Sequence, residues 1–198
     1  MAIQYSTAHR STTASGLNTD IGINAQIIIY SGSVPANVGT APTGTLLVQF
    51  AGNATVFGSV TAGVLTAGAV AAANATGSGT AGYYRINTSG AVAVAQGTVF
   101  QSSSLTTSAA TAANGNVLTF AAVSGIAVGQ LVTGTGIGVN TTVIAFTTTT
   151  VTLSLASTAG VASAVAVTFA GDLTIGNTSI ASGQNCQFNS FTATTAGA

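Results

Sequence analysis

Short apolar runs separated by turn-forming residues dominate the first hundred positions. The runs are β-branched or aromatic and four to six residues long: 27–30 (IIIY), 45–50 (TLLVQF), 83–86 (YYRI) and 91–96 (AVAVAQ). Each predicts a short strand. Residues 31–35 (SGSVP) end the first run, and residues 87–90 (NTSG) join the last two into a predicted hairpin.

Two stretches have some helix propensity. Thr7–Ile21 is predicted as a short N-terminal helix, although Thr12, Thr13 and Gly16 are poor helix formers. The Ala-rich stretch 69–75 also suits a helix, but its Gly and Thr neighbours and the lack of a charged face favour strand or loop.

The chain changes character after position 100. Residues 101–113 (QSSSLTTSAATAA) are low-complexity and resemble a linker. Strand-like runs then recur every eight to twelve residues with Gly or Asn turns between them: 117–120, 131–133, 142–146, 151–155 and 164–169. This rhythm predicts a small all-β module. Further strands are predicted at 173–175 and 186–192, so the fold class is all-β, a mainly antiparallel sandwich-like or barrel-like core.

Charge is almost absent from the chain. Arg10, Asp20, Arg85 and Asp172 are its only charged side chains, 2% of residues against about 25% in an ordinary soluble domain. There is no basic patch for nucleic acid and no polybasic membrane-surface helix. The hydrophobic content of 47% argues against ordinary disorder. Since a neutral surface repels its neighbours weakly, we expect a homo-oligomer or a larger assembly.

Neither a membrane span nor an export signal is predicted. The longest small-apolar stretch, 62–73, is shorter than the roughly 20 residues of a spanning helix, and Gly and Thr interrupt it. The first residues, MAIQYSTAHRSTT, lack the apolar core of a signal peptide, so we expect cytoplasmic synthesis. Cys186 is the single cysteine, cannot form an internal disulfide, and is expected to be a small apolar or half-buried residue.

Several short blocks, in order, resemble a family of small structural proteins of tailed bacteriophages. These blocks are 2–10 (AIQYSTAHR), 27–32 (IIIYSG), 34–37 (VPAN), 43–47 (TGTLL), 84–86 (YRI) and 171–184 (GDLTIGNTSIASGQ). The resemblance implies a core formed by residues 1–105 and 170–198. Residues 106–169 then form an inserted module, where 125–129 (GIAVG) and 132–137 (VTGTGI) are similar to a β-module of phage proteins. An exposed loop tolerates such an insertion.

The resemblance also implies a function. We expect a capsid decoration or cement protein on the outer surface of the virion, assembled in the host cytoplasm, whose partner is the major capsid protein. The alternative is a head-fibre or tail-fibre component that binds a host receptor or glycan through the module. A Thr-rich binding solenoid is a third hypothesis, suggested by residues 147–150 (TTTT), but no regular repeat supports it.

Residues suited to catalysis are few. His9 is the single histidine, Asp20 and Asp172 are the only side-chain carboxylates, and no G-x-S-x-G motif is present, so we expect no enzyme activity and no small-molecule substrate. One His, one Cys and two separated Asp are too few for a metal site. The Gly-rich stretch 134–138 has the wrong spacing for phosphate binding, and no cofactor is expected.

Tyrosine and arginine supply the candidate contact residues, because both are enriched at interface anchors. The candidates are Tyr5, His9, Arg10, Tyr83, Tyr84 and Arg85. The competing interpretation treats the tyrosines as core or strand-pair aromatics beside one paired arginine.

Overall fold

The computed structural model describes residues 6–53, 55–101, 103–171 and 173–194. Strands make up 45% of the chain and helix 8%, which confirms the predicted all-β class. The chain divides into two compact units. The first unit is Met1–Val99 with Asp172–Ala198, and the second unit is Phe100–Gly171.

One helix and seventeen strands are assigned within the described residues. In chain order they are α1 (Thr7–Ile21), β1 (Ala25–Ser31), β2 (Leu46–Asn53), β3 (Phe57–Thr61), β4 (Val64–Ala67), β5 (Ala73–Asn74), β6 (Gly79–Asn87), β7 (Ala93–Gln101), β8 (Ser103–Ala109), β9 (Val117–Phe120), β10 (Leu131–Thr133), β11 (Val143–Phe146), β12 (Thr150–Leu153), β13 (Ala166–Ala170), β14 (Leu173–Ile175), β15 (Ser179–Ile180), β16 (Asn185–Cys186) and β17 (Phe188–Thr194).

The first unit is built on one large sheet. Its strand order is β2-β1-β6-β7-β14-β17-β4-β3, with β15 paired to β6, and β16 and β5 form a separate two-stranded sheet. The predicted hairpin is present as β6 and β7, which pair antiparallel. Since β7 and β14 are neighbours, the chain leaves this sheet and returns to it at adjacent strands.

Both faces of β1 and β6 are buried. Ile27, Ile29, Tyr84 and Ile86 belong to the main core on one face. Ile28, Tyr30 and Tyr83 form a separate cluster on the other face, packed against Val34 and Leu46. Side chains alternate between the faces of a strand, so a second covering layer is needed. The segment between β1 and β2 supplies that layer.

A bulge in β6 lets the sheet backbone approach the start of this segment closely. Tyr30 pairs with Tyr83 but Ser31 pairs with Ala81, which leaves Gly82 as an extra residue. A Cβ at position 82 would overlap the carbonyl oxygen of Gly32. Glycine is therefore required here for close backbone approach.

The predicted N-terminal helix is confirmed with the predicted bounds. Ser6 caps it by accepting a hydrogen bond from His9 N at 3.2 Å, and Gly22, at φ +71°, ends it. Only Ala14 and Ile21 are buried, and α1 contacts β3 and β4. Tertiary contact at these points therefore supports a helix whose own propensity is poor. No described helix is long and apolar enough to cross a membrane.

The second unit is a six-stranded sheet that closes on itself. Its order is β10-β13-β8-β9-β12-β11, and the bridge between Leu131 and Thr142 joins its two ends. Inward-facing side chains alternate along the strands and form one core: Leu118, Phe120, Val132, Val143, Val151, Leu153, Val167 and Phe169. The rings of Phe120 and Phe169 meet edge to face with centroids 5.9 Å apart.

The linker prediction for residues 101–113 is wrong, because β8 lies within this segment and pairs with β13 and β9. Its polar side chains satisfy neighbouring backbone. Thr107 Oγ1 donates to Ala162 O at 2.8 Å and accepts from Val165 N at 3.0 Å. The turn before β13 is thereby held to β8. The short strands β3, β4 and β15 are not among the predicted strands, and β5 lies within the stretch 69–75, for which strand or loop is favoured.

Candidate protein-contact site

Tyr83 fastens the segment between β1 and β2 to the sheet. Its hydroxyl donates to Thr43 O at 2.7 Å and accepts from Thr43 N at 2.9 Å. Its ring stacks on Tyr30 with centroids 5.1 Å apart. The side chain is 0% exposed. Burial raises the pKa of Tyr30, the nearby Tyr83 adds to the rise, and the Arg85 charge partly offsets it.

Arg85 holds the same segment from two positions further along β6. Its guanidinium donates 2.8 Å hydrogen bonds to Thr40 O and to Gln96 Oε1. Gln96 Nε2 in turn donates to Pro35 O at 2.8 Å. Arg85 is 4% exposed, and its Nε is buried without a hydrogen-bond partner in the described part of the chain. The buried Arg85 guanidinium thus donates its described hydrogen bonds to neutral oxygen atoms.

These positions correct the contact-residue prediction for three candidates. Tyr83 and Arg85 hold the chain's own segment, and Tyr84 lies in the main core, edge to face with Phe191 at 4.9 Å. All three are buried, so none offers a surface to a partner. Period-two alternation normally leaves one strand face for solvent, and here the covering segment removes that face. The competing interpretation, core aromatics beside one hydrogen-bonded arginine, describes them.

The other candidates lie near the start of the chain. His9 is exposed in the first turn of α1, and Arg10 is half-buried with a 3.4 Å hydrogen bond to Thr7 Oγ1. Tyr5 lies outside the described residues. His9 therefore stays accessible, whereas Tyr83, Tyr84 and Arg85 are buried.

An apolar cavity in the first unit is a better contact feature. It has a volume of about 360 Å³ and lies between β17 and the chain that follows β4. Its largest lining side chains are Phe188 and Phe191, with Val70 and Ala67 opposite. Phe188 packs on Phe50 at 4.4 Å, which fixes its ring. The cavity can receive an apolar side chain.

Sequence reasoning missed this cavity because of a bulge. Phe188 and Phe191 are three positions apart, which places them on opposite faces of a regular strand. β17 pairs Ser190 with Thr174 but Phe188 with Ile175, so one extra residue lies between them. The bulge brings both rings to the same cavity. The only sequence signal is the small-residue run 67–73.

The second unit exposes large apolar side chains on one hairpin. Ile144 and Phe146 on β11 are 51% and 46% exposed, and Leu155, just after β12, is 48% exposed. We call these three the hairpin apolar residues. The sequence from Phe100 to Gly171 contains no Asp, Glu, Lys, Arg, His, Tyr or Cys. A partner can therefore cover this hairpin without desolvating a charge on it.

Comparison with known proteins identifies no relative, since no family model, curated protein or solved structure matches the chain. The described residues also contain no group of three or more His, Cys, Asp and Glu side chains placed to hold a metal ion. The candidate contact surfaces, the apolar cavity and the hairpin apolar residues, are therefore characterised by their own side chains. These side chains are apolar or carry hydroxyl groups, and they are nearly free of charge.

Proposed function

We propose that this chain is a structural protein of a tailed-phage virion, most specifically a capsid decoration or cement protein. Its partners are the major capsid protein and further copies of itself. The hairpin apolar residues, exposed on a unit without any ionisable side chain, are the observation that carries this proposal. The resemblance of six sequence blocks to small phage structural proteins supports it.

The proposed mechanism is passive burial. Each copy bridges neighbouring capsid subunits and removes apolar and hydroxyl surface from water. An interface of about 1,000–2,000 Å² at about 25 cal/mol per Å² corresponds to tens of kcal/mol before entropic costs. Only a fraction survives as net affinity, but the contact is repeated over the shell. No catalytic group, cofactor, nucleic acid or membrane takes part.

Quantitative mass spectrometry of purified particles tests the location. A decoration protein is present in hundreds of copies, comparable to the major capsid protein, and its removal lowers the thermal and mechanical resistance of the shell. Absence of the chain from particles, or an unchanged resistance after stripping, contradicts the proposal. The alternative, a fibre component that binds a receptor or glycan through the exposed second unit, predicts tens of copies or fewer.

Salt dependence tests the kind of interface. Charged contacts weaken as salt rises because the screening length falls from about 10 Å at 0.1 M to about 3 Å at 1 M. A contact made by the charge-free second unit keeps its affinity across that range. Binding to stripped shells, measured by co-sedimentation, should therefore be the same at both salt concentrations. A loss of tenfold or more indicates a charged interface elsewhere on the chain.

A further inference from the structure

A second cavity in the first unit has a different chemistry. It has a volume of about 300 Å³ and is lined by chain from two segments, Ile175 to Asn177 and Gln184 to Gln187. Ile175 and Cys186 supply a buried apolar part. Four carboxamides, those of Asn177, Gln184, Asn185 and Gln187, supply the more accessible part.

Three of these amides are oriented by the chain itself. Asn177 Oδ1 accepts from Ser179 N at 2.9 Å, and Gln184 Oε1 accepts from Ala181 N at 3.0 Å. Asn185 Nδ2 donates to Asn74 Oδ1 at 3.2 Å. Each of these bonds engages one end of the amide, and the other end has hydrogen-bonding capacity of its own. The Ala181–Gln184 turn, with Gly183 at φ +82°, fixes the position of Gln184.

Ligand charge is constrained by the lining. Among the described lining residues, the Cys186 thiol is the only ionisable group, and burial raises its pKa. The thiol is therefore neutral at pH 7. A charged ligand would lose hydration here without gaining an opposite charge, which is costly. The lining favours a neutral ligand that both donates and accepts hydrogen bonds.

We propose that this cavity binds a neutral sugar ring. A pyranose offers hydroxyls that match the amide groups and an apolar C–H face that matches Ile175 and Cys186. The volume is at the lower end for ligand sites, about 300–1,000 Å³, which suits one ring. This proposal is independent of the decoration function, since it concerns a different surface and needs no virion.

Cys186 provides the readout because it is the only cysteine and lines the cavity. Its labelling rate with iodoacetamide is measured on the full chain with glucose, galactose or N-acetylglucosamine as probe. A ligand of about twelve heavy atoms at ordinary efficiency binds with a millimolar Kd. Labelling should slow about tenfold at ten times that Kd for at least one of these sugars. Saturation-transfer NMR on the same sugars gives a second readout.

Three further measurements test whether protection of Cys186 comes from a neutral sugar bound in this cavity. Gln187→Ala removes an exposed amide that makes no described hydrogen bond, so it should weaken protection at least threefold while the melting temperature stays constant. Gln101→Ala removes an exposed amide in the second unit and should leave protection unchanged. Glucuronate, which differs from glucose by a carboxylate, should protect at least tenfold less.

Some results overturn the proposal. If none of the three sugars slows labelling or gives an NMR signal, the cavity is not a sugar site. Equal protection in the Gln187→Ala variant places the sugar elsewhere. Protection by glucuronate that matches glucose contradicts the neutral-ligand argument.

Discussion

The two units cover the apolar faces of their sheets in different ways. The first unit contains every ionisable side chain of the protein and covers a second sheet face with a segment held by Tyr83, Arg85 and Gln96. The second unit contains no ionisable side chain and closes its six strands on themselves. The first unit adds these polar contacts to a large apolar core, whereas the second unit combines apolar packing with hydroxyl-to-backbone bonds.

This difference bears on function. In the first unit Tyr83, Tyr84 and Arg85 are buried and make internal contacts. In the second unit the hairpin apolar residues have no internal role of that kind and stay exposed. A neutral unit that exposes Ile144 and Phe146 suits contact with protein, because none of its side chains carries a charge that the contact would desolvate.

The largest expected effect separates the two cores. Phe169→Ala removes a fully buried ring from the second unit, which should lower its free energy of unfolding by about 3–5 kcal/mol. Every tyrosine lies outside Phe100–Gly171, so tyrosine near-ultraviolet circular dichroism reports on the first unit alone. We expect its urea midpoint to stay constant, while hydrogen exchange in peptides from the second unit accelerates.

The mirror variant Phe57→Ala is the control. Phe57 packs on Phe191 in the first core, so this variant should shift the tyrosine midpoint and leave exchange in the second unit unchanged. If each variant changes the tyrosine midpoint and the hydrogen exchange of the second unit equally, the two units unfold together. Their two cores then do not have separate stabilities.

A smaller effect concerns the polar fastening of the first unit. Tyr83→Phe keeps the ring stack and removes the hydroxyl that binds Thr43 N and O, so we expect a loss of about 1–2 kcal/mol. Tyr30→Phe is the matched control, since its hydroxyl makes no hydrogen bond to the segment within the described residues, and should cost less than about 0.5 kcal/mol. Urea denaturation measures both. Equal losses would show that ring packing, not the hydroxyl, fastens the segment.

The sequence predicted more of the strands than of these contacts. Runs such as 117–120, 131–133 and 173–175 became strands with the predicted bounds, because local alternation carries that information. The Arg85–Thr40 bond and the shared face of Phe188 and Phe191 depend on a covering segment and on a bulge. Both are set by long-range pairing, which a single sequence does not encode in its local pattern.

The pH response should also differ between the units. The pKa values of Tyr30 and Cys186 are raised in the folded first unit, chiefly by burial. A folded pKa above the unfolded one gives stability that is complete below the unfolded pKa and is lost as pH rises through the folded pKa. The first unit should therefore lose stability above about pH 9, where these groups begin to ionise when unfolded.

The second unit supplies the internal control for this pH effect. With no titrating side chain, it should show the same urea midpoint by hydrogen exchange at pH 7 and at pH 10, after correction for the intrinsic exchange rate. The double variant Tyr30→Phe with Cys186→Ala should flatten the first unit's response. A second unit that weakens as steeply as the first would mean that groups outside it govern its stability.

The smallest effect on folding tests the contact surface. Ile144 and Ile23 are the same residue type with comparable exposure, 51% in the second unit and 67% in the first. Replacing either by serine should change the free energy of unfolding by less than about 0.5 kcal/mol, since neither fills a core. Only Ile144→Ser should weaken association with the shell or with further copies. Loss of one buried isoleucine, about 1.5–3 kcal/mol, corresponds to a roughly tenfold to hundredfold higher Kd by analytical ultracentrifugation or co-sedimentation. If Ile23→Ser weakens association as much, the contact is not confined to the charge-free unit, and the division of labour between the units is wrong.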